Sequence, residues 1–274
     1  MRPLVSIVTP MFNAEPFIAE TIESVLAQTY ENWEMLVVDN CSTDRSREVV
    51  LDYANRDTRI RLVELDFNSG GPARPRNIGI RHALGDYLAF LDADDIWKPE
   101  KLERQVRHML GHPEVGLLYS PCLPTLGGKI KKQSPRRWAM KAGHIFEALF
   151  LSDNFIVCSS VLLRKGSAIP LEFDEDSRMV TVEDFDLWLR ISQVAVIDFI
   201  AEPLVIYRLH ERNLSYGVTQ YGRRILYMVG KWRVRTYPAL IFAKYGRLIV
   251  TVSVMCLIFL MEKVRGLIHS RRAY

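Results

Sequence analysis

The spacing of apolar residues changes several times along the chain, and each change marks an element. LVSIVTP, from Leu4 to Pro10, is a short apolar run rich in β-branched side chains and closed by proline, which predicts a buried strand. In EPFIAETIESVLAQ, Ile18, Ile22, Val25 and Leu26 recur at helical spacing, and Pro16 suits a helix start. WEMLVVDN reads as a second buried strand, and STDRSREVVLDYA as a helix with Ser and Thr available to cap it. IRLVEL, DYLAFLDA and VGLLYS supply three more strands, separated by helices in NSGGPARPRNIGIRHAL and PEKLERQVRHML. Strands alternating with helices over roughly the first 120 residues predict βαβ units and a mainly parallel, Rossmann-like sheet flanked by helices.

The second half is less regular. HIFEALF and VEDFDLWLRIS read as helices, FIVCSSVLLR as a strand, and VAVIDFIAEPLVIYRLH as one or two strands. From about Thr219 onward the pattern is mainly helical.

In sheets of this kind ligands bind beyond the carboxyl ends of the strands. YLAFLDADDIW places Asp92, Asp94 and Asp95 at such an end. Pro10 to Asn13 follow the first strand, and Asp39 and Asn40 follow the second, so three strand ends turn polar or aromatic groups toward one crevice. Like charges this close raise one another's pKa or recruit a cation. Carboxylate oxygens suit Mg²⁺ or Mn²⁺, which commonly bridge acids to a ligand's phosphates. The plainer alternative is that the acids cap the turn before WKPEKL, a role suited to Asp95.

Taken together, VSIVTPMFNAEPFIAETIESVLAQTYENWEMLVVDNCSTDRS, GGPARPRNIGIRHALGDYLAFLDADDIWKPEKLE, EDFDLWLR and YRLH resemble, in order and spacing, a family 2 glycosyltransferase of the GT-A fold. The resemblance spans roughly residues 4–215. It implies an α/β GT-A domain over 1–215, with a nucleotide-sugar-binding part (1–121) and an acceptor-binding part (122–215), followed by a C-terminal helical extension over 216–274. It also implies a nucleotide-diphosphate sugar donor, a divalent cation (Mn²⁺ or Mg²⁺) and inversion at the anomeric carbon. By the same resemblance Asp94 takes the metal, and Asp92 the ribose or the metal. Phe12 stacks on the base with the Pro10 carbonyl beside it, Asp39 and Asn40 hold the nucleoside, and Arg76 lies near the nucleotide. Asp184 is the general base and Glu183 positions it or the acceptor. His210, after YR, completes the metal site, while Arg208 is free to face phosphate oxygens. Asn77 is expected to tie its helix start to a neighbouring strand. This reading requires Asp94 and Asp184 to share one cavity.

One departure from the family pattern affects the choice of base. Where the family shows two acids and then glycine, this chain has VVDNCS. Asn40 can accept from a uracil N–H but can also donate, and Cys41 stands where a glycine would tolerate unusual backbone angles. A uridine donor is the expected choice.

Composition changes this picture little. A net charge of +4, from 36 basic and 32 acidic residues, gives no reason to expect a nucleic acid partner. Cys41, Cys122, Cys158 and Cys256 form neither a CxxC pair nor a zinc pattern, which favours a reducing, cytoplasmic setting. The N-terminus reads as a first strand, without a signal-peptide pattern.

Two segments point to the acceptor. GGKIKKQSPRRWAMK carries Lys129, Lys131, Lys132, Arg136, Arg137 and Lys141 around Trp138 and contains no acid. It is either a solvated loop or a flap that meets anionic headgroups or an acceptor's phosphate. LIVTVSVMCLIFLM, from Leu248 to Met261, carries no charge and is followed by Lys263, Arg265, Arg271 and Arg272. As a helix it is shorter than a ~30 Å hydrocarbon core. The preferred expectation is a helix lying on the inner face of the plasma membrane, giving peripheral contact through 238–274, with packing on the protein or a partner subunit, and a true span, as the alternatives. Together these imply a glycan or lipid-linked acceptor in bacterial surface polysaccharide synthesis, and a homo-oligomer is admitted. A non-catalytic nucleotide-sugar-binding subunit and a polyprenyl-phosphate sugar synthase are the competing readings.

Overall fold

The computed structural model describes residues 2–131, 140–152, 154–166, 169, 171–211, 213, 218–232 and 243–244. Leu248–Met261 and most of the basic loop lie outside the described residues.

The first half alternates as the pattern predicts: β1 (Val5–Met11), α1 (Ile18–Leu26), β2 (Trp33–Asp39), α2 (Ser46–Arg56), β3 (Ile60–Glu64), α3 (Ala73–His82) and β4 (Tyr87–Phe90). A two-residue strand β5 (Ile96–Trp97), α4 (Lys101–Gly111), β6 (Val115–Tyr119), β7 (Cys122–Leu126) and β8 (Lys129–Ile130) follow. Then come α5 (Phe146–Leu151), β9 (Leu162–Arg164), α6 (Glu183–Ser192), β10 (Val196–Phe199), β11 (Val205–Leu209) and α7 (Val218–Lys231).

The main sheet has seven strands in the order β10-β6-β9-β4-β1-β2-β3. All its pairings are parallel except those of β9, which runs antiparallel to both β4 and β6. FIVCSSVLLR is therefore not one strand. Cys158–Ser160 form a 3₁₀ turn, and only Leu162–Arg164 join the sheet. Both faces of the sheet are covered, so its central strands are apolar at successive positions. Ile7, Tyr87 and Ala89 pack into one core, while Val8, Leu88 and Phe90 pack into the other with Trp188 and Leu189 of α6. A smaller sheet, β5-β11-β7-β8, lies beyond the ends of β4 and β6.

On α1, Ile18, Ile22 and Val25 are fully buried, whereas Leu26 stays half-exposed at the edge of the apolar face. The start of α2 is held by Asp44, not by Ser42 or Thr43: its carboxylate accepts from the Ser46 N–H at 3.0 Å and the Glu15 N–H at 3.1 Å. The two residues expected to cap instead fasten neighbouring loops, Ser42 accepting from Asn13 N–H at 3.0 Å and Thr43 donating its N–H to Asn13 Oδ1 at 2.8 Å.

Two features aim the site. β1 lies between β4 and β2 although the chain visits β2 first, which opens the crevice where strand order reverses. Helix α3 then lies tightly on β1: a Cβ added at Gly79 would come within 2.3 Å of Val8 Cγ1. This close approach brings Arg76, on the same helix, over the strand ends. On α7, Ile225, Met228 and Val229 are buried in the same core as α6.

Candidate active site

The crevice is built from the ends of β1, β2 and β4, the start of α3, the start of α6 and the end of β11. Phe12, just past β1, is 49% exposed, unusual for a large aromatic side chain and available to a flat ligand. Pro10 pairs in register with Val38, and the Met11 carbonyl accepts from Asn40 N–H at 2.8 Å, locking the two strand ends together. Asp39 is buried and accepts the Ser42 N–H with both oxygens, at 3.2 and 3.1 Å.

Asn40 differs from expectation. Its Oδ1 accepts from Ser69 N–H at 2.9 Å and Ser69 Oγ at 3.0 Å, and its Nδ2 faces Asn68 Oδ1 at 3.3 Å and the Gly71 carbonyl at 3.5 Å. With both ends of the amide engaged, Asn40 is a latch for the loop from Asn68 to Gly71 and has no spare acceptor for a uracil N–H. Cys41 adopts φ +63°, the left-handed conformation in which glycine is easiest, so the turn keeps the shape a glycine would give it. Its Sγ lies 3.1 Å from the Leu65 carbonyl.

The three acids after β4 meet three different partners. Asp92 receives Arg76 Nη2 at 2.7 Å. Asp94 Oδ2 lies 2.9 Å from His210 Nε2 and 3.4 Å from Asn213 Nδ2. Asp95 is not a helix cap. It is completely buried and accepts from Ser159 Oγ at 2.5 Å and Arg208 N–H at 3.2 Å. The Ser159 hydroxyl also accepts the Asp92 N–H at 3.1 Å, so one side chain ties two of the acids together. Burial, with the charges of Asp94 and Asp92, lifts Asp95 well above the ordinary carboxylate range. Burial and then the charge of Asp92 raise Asp94, against the pull of His210.

Arg76 is the centre of the site. Its Nη1 donates to Glu183 Oε1 at 2.8 Å, and its side chain is only 4% exposed. One guanidinium therefore clamps the acids after β4 to the Glu-Asp pair that opens α6. Burial alone would push Arg76 down, but the surrounding negative charges, Asp92 and Glu183 among them, outweigh it and hold the guanidinium firmly charged. Asp184 lies beside this clamp, its carboxylate accepting from Asn154 Nδ2 at 3.1 Å and Phe185 N–H at 2.7 Å. Burial and the Glu183 charge push Asp184 up to about 7, with Arg76 opposing and Asp92 adding. Asp186 instead turns to α7, accepting from Trp232 Nε1 at 2.8 Å and Arg190 Nε at 2.9 Å.

Arg208 does not face the crevice as a free fork. It reaches Glu20 at 2.5 Å, the Phe17 carbonyl at 3.2 Å, Thr21 Oγ1 at 3.1 Å and the Asp94 carbonyl. It thus pins β11 to α1 and to the acid loop. Next to it, His210 stacks on Phe17 with centroids 4.4 Å apart. Asn77 is structural, but its partner is a loop and not a strand: it exchanges hydrogen bonds with the Phe173 backbone at 2.9 and 2.7 Å and donates to Glu175 at 2.9 Å.

Among the described residues no three His, Cys, Asp or Glu side chains form a ready-made metal cage. The donors at Asp94 nevertheless fit a hard cation that a ligand's phosphates and water would complete, the usual arrangement for Mg²⁺. Asp92 and Asp94 are crowded by like charge, the His210 imidazole points at the same carboxylate, and His210 Nδ1 is buried without a partner. Sequence reasoning missed the roles of Asp95 and Ser159. The clue was available: three acids in four positions beside Ile96 and Trp97 cannot all face water.

Comparison with known proteins agrees with this geometry. The Glycosyl transferase family 2 pattern matches residues 6–168. Over 109 residues the chain is 48% identical to TuaG of Bacillus subtilis, named for teichuronic acid biosynthesis, covering 40% of this chain but only 43% of that protein. It is 35% identical over 219 residues to the Escherichia coli UDP-Glc:alpha-D-GlcNAc-diphosphoundecaprenol beta-1,3-glucosyltransferase WfgD, covering 77% of this chain and 79% of that one. Among solved structures, the Pyrobaculum calidifontis mannosyltransferase PcManGT, in complex with GDP-Man and Mn²⁺, superposes with TM-score 0.67 at 19% identity, covering 89% of this chain and 69% of the other. The chain belongs to glycosyl transferase family 2: it is a glycosyltransferase with the GT-A fold.

Proposed function

We propose that the chain transfers one sugar, with inversion, from a UDP-sugar to a hydroxyl of a lipid-linked or glycan acceptor during bacterial surface polysaccharide synthesis. The observation that carries this reading is the Arg76 clamp, which holds the strand-end acids and the Glu-Asp pair of α6 in one connected site. In this reading Asp184 is the general base. Its carboxylate is raised to about 7, so it takes a proton readily near neutral pH. It removes the proton from the acceptor hydroxyl as that oxygen bonds to the anomeric carbon, and the bond from that carbon to the diphosphate oxygen breaks on the opposite face. Glu183 is the second member of the pair, held by Arg76, and orients Asp184.

Asp94, Asp92 and His210 would hold the divalent cation, whose chemistry there is to neutralise the departing diphosphate. Phe12 and the Pro10 carbonyl would flank the base, with Asp39 at the nucleoside and Arg76 near the nucleotide. The uridine assignment draws on the donor named for WfgD, and the cation on the Mn²⁺ bound to PcManGT. We assign the transfer domain to 1–215, with nucleotide-sugar and acceptor parts meeting near residue 121, and an extension over 216–274. Among the described residues no helix is long and apolar enough to cross a membrane, and the proposed peripheral contact through 238–274 falls almost wholly outside them.

The test is a panel of nucleotide sugars screened for nucleoside diphosphate release with Mn²⁺ and with chelator. Release from one UDP-sugar, abolished by chelator and by Asp94→Asn, is the expected result. Metal-independent release, or release only from guanosine donors, overturns the corresponding part of the reading.

A further inference from the structure

One buried amine takes no part in the chemistry described above. Lys101, the first residue of α4, is completely buried, and among the described residues no carboxylate pairs with it. Its Nζ donates to Gln105 Oε1 at 2.6 Å and lies 3.9 Å from the centre of the Trp97 ring. Burial pulls its pKa down to about 7, with Cys122 opposing. An aliphatic side chain would fill the same space without a desolvation penalty, so packing alone does not account for an amine here.

The groups it touches lead to the acid loop. An ammonium has donors only, so it claims the oxygen end of the Gln105 amide and leaves the nitrogen end to point away. Gln105 Nε2 accordingly donates to the Ser160 carbonyl at 2.8 Å. The Trp97 ring, whose face meets the cation, donates Nε1 to the Ser159 carbonyl at 2.8 Å. Two successive carbonyls of the Cys158–Ser160 turn are therefore fixed by the two side chains that Lys101 contacts. That turn carries the Ser159 hydroxyl, which accepts the Asp92 N–H at 3.1 Å and donates to Asp95 at 2.5 Å. The path is continuous and buried: Lys101 to Gln105 and Trp97, these two to the turn, and the turn to Asp92 and Asp95.

We infer that Lys101 is a positioning residue for the acid loop: acting through Gln105 and Trp97, it sets the turn that holds Asp92 and Asp95, and with them Asp94 between. The inference rests on the cation assigned to Asp94 and Asp92 in the proposed function.

The experiment uses the full chain carrying Lys101→Met, which keeps the length of the side chain and removes the amine. Thermal unfolding and hydrogen exchange are measured without metal, and the Mn²⁺ half-saturation of UDP binding is measured by calorimetry. The expected result is a Tm equal to or above that of the unmodified chain, because a buried charge is gone. Exchange should quicken across Leu91–Asp95 and Cys158–Ser160 alone, and the Mn²⁺ half-saturation should rise about tenfold, the worth of one hydrogen bond. Gln105→Glu is the second variant. It still accepts from Lys101 but, as a carboxylate, cannot donate to the Ser160 carbonyl, so it should raise the half-saturation as well. An unchanged half-saturation in either folded variant overturns the inference. So does a raised one accompanied by a lower Tm and faster exchange throughout the main sheet, which is what a role in stability alone produces. If Lys101→Met does not fold, Gln105→Glu decides by the same criteria. If the unmodified chain binds UDP equally well without Mn²⁺, the cation reading fails and the inference falls with it. Mn²⁺-dependent binding that the variants leave unaltered removes the inference and leaves that reading standing.

Discussion

Removing the Arg76 guanidinium by Arg76→Met keeps the length of the side chain and deletes its charge and both hydrogen bonds. Its two partners differ in what they lose. The Asp92 side chain is 28% exposed, so water covers much of its loss, whereas Glu183 is 4% exposed and its Oε2 already lacks a hydrogen-bond partner. Glu183 has nowhere to turn. Stripping one partner from a buried ion pair costs about 3–5 kcal/mol. Discounting the Asp92 half puts the expected loss near the lower bound, ~3 kcal/mol, or roughly 10 °C in Tm for a domain of this size. The assay is urea unfolding followed by tryptophan fluorescence. Arg76 also pulls Asp184 down, so its loss moves the acid limb of any residual activity to higher pH. A second substitution decides the cause: in Arg76→Met/Glu183→Leu most of the lost stability returns, because no buried charge remains. If Arg76→Met unfolds within about 1 kcal/mol of the unmodified chain, or if the double variant loses the sum of the two single changes, the clamp is not what holds the site together.

Three further outcomes follow from the same geometry. Asp184→Asn should bind UDP with Mn²⁺ as before and lose about 10²- to 10⁴-fold in transfer; in the unmodified enzyme the rate should fall as pH drops below about 7, where the base takes up a proton. Asn40→Asp, although it restores the family's acid, should raise the donor KM several-fold with little change in kcat. Aspartate cannot donate to the Gly71 carbonyl or Asn68 Oδ1 and would repel both, so a lowered KM would count against the latch. Cys41→Gly should raise stability by up to about 1 kcal/mol in thermal unfolding, since it relieves a left-handed side chain at φ +63°; a drop would mean that the thiol's contact with Leu65 outweighs the strain.

The sheet was legible because its signal is local. Buried parallel strands are continuous apolar runs, and Val5, Ile7 and Val8, or Leu88 to Phe90, announce themselves within a few residues. The strand-end acids were legible for the same reason, since their spacing lies within one loop. What stayed hidden depends on partners far away in the chain. Arg76 and Glu183 are separated by 107 positions, and only the fold shows that one guanidinium serves two acidic motifs. Arg208 looked like a free phosphate fork because YRLH says nothing of Glu20, Thr21 or the Asp94 carbonyl, each supplied by a distant element. The same holds for Asn40, whose side chain looked available until the Asn68–Gly71 loop closed on it. Thr181 is harder still, because a β-branched residue gives no warning of a positive φ.

The three acids after β4 can coexist because each is compensated differently, and that difference predicts which one takes a cation. Asp92 is neutralised by a guanidinium that cannot lose its charge and is committed to Glu183 as well. Asp95 is sealed, accepting two hydrogen bonds, and burial with the charges of Asp94 and Asp92 holds it well above the ordinary carboxylate range. Asp94 has only an imidazole and a long contact from Asn213, and it stays 25% exposed at the crevice. Its compensation can be exchanged at little cost, and the group supplying it is itself a competent metal ligand. An arriving cation would displace only the His210 contact and the long Asn213 hydrogen bond there, whereas at Asp92 it would have to break the clamp and at Asp95 it would have to unseal the core. The order of preference is therefore Asp94 before Asp92, with Asp95 acting through the Arg208 N–H that keeps β11, and with it His210, beside the acids. Manganese titrations of donor hydrolysis should then separate the three: Asp94→Asn raises the metal requirement most, Asp92→Asn less, and Asp95→Asn lowers stability and weakens metal dependence only in step with the misplacement of His210. A metal requirement that moved most with Asp92→Asn would reverse this order.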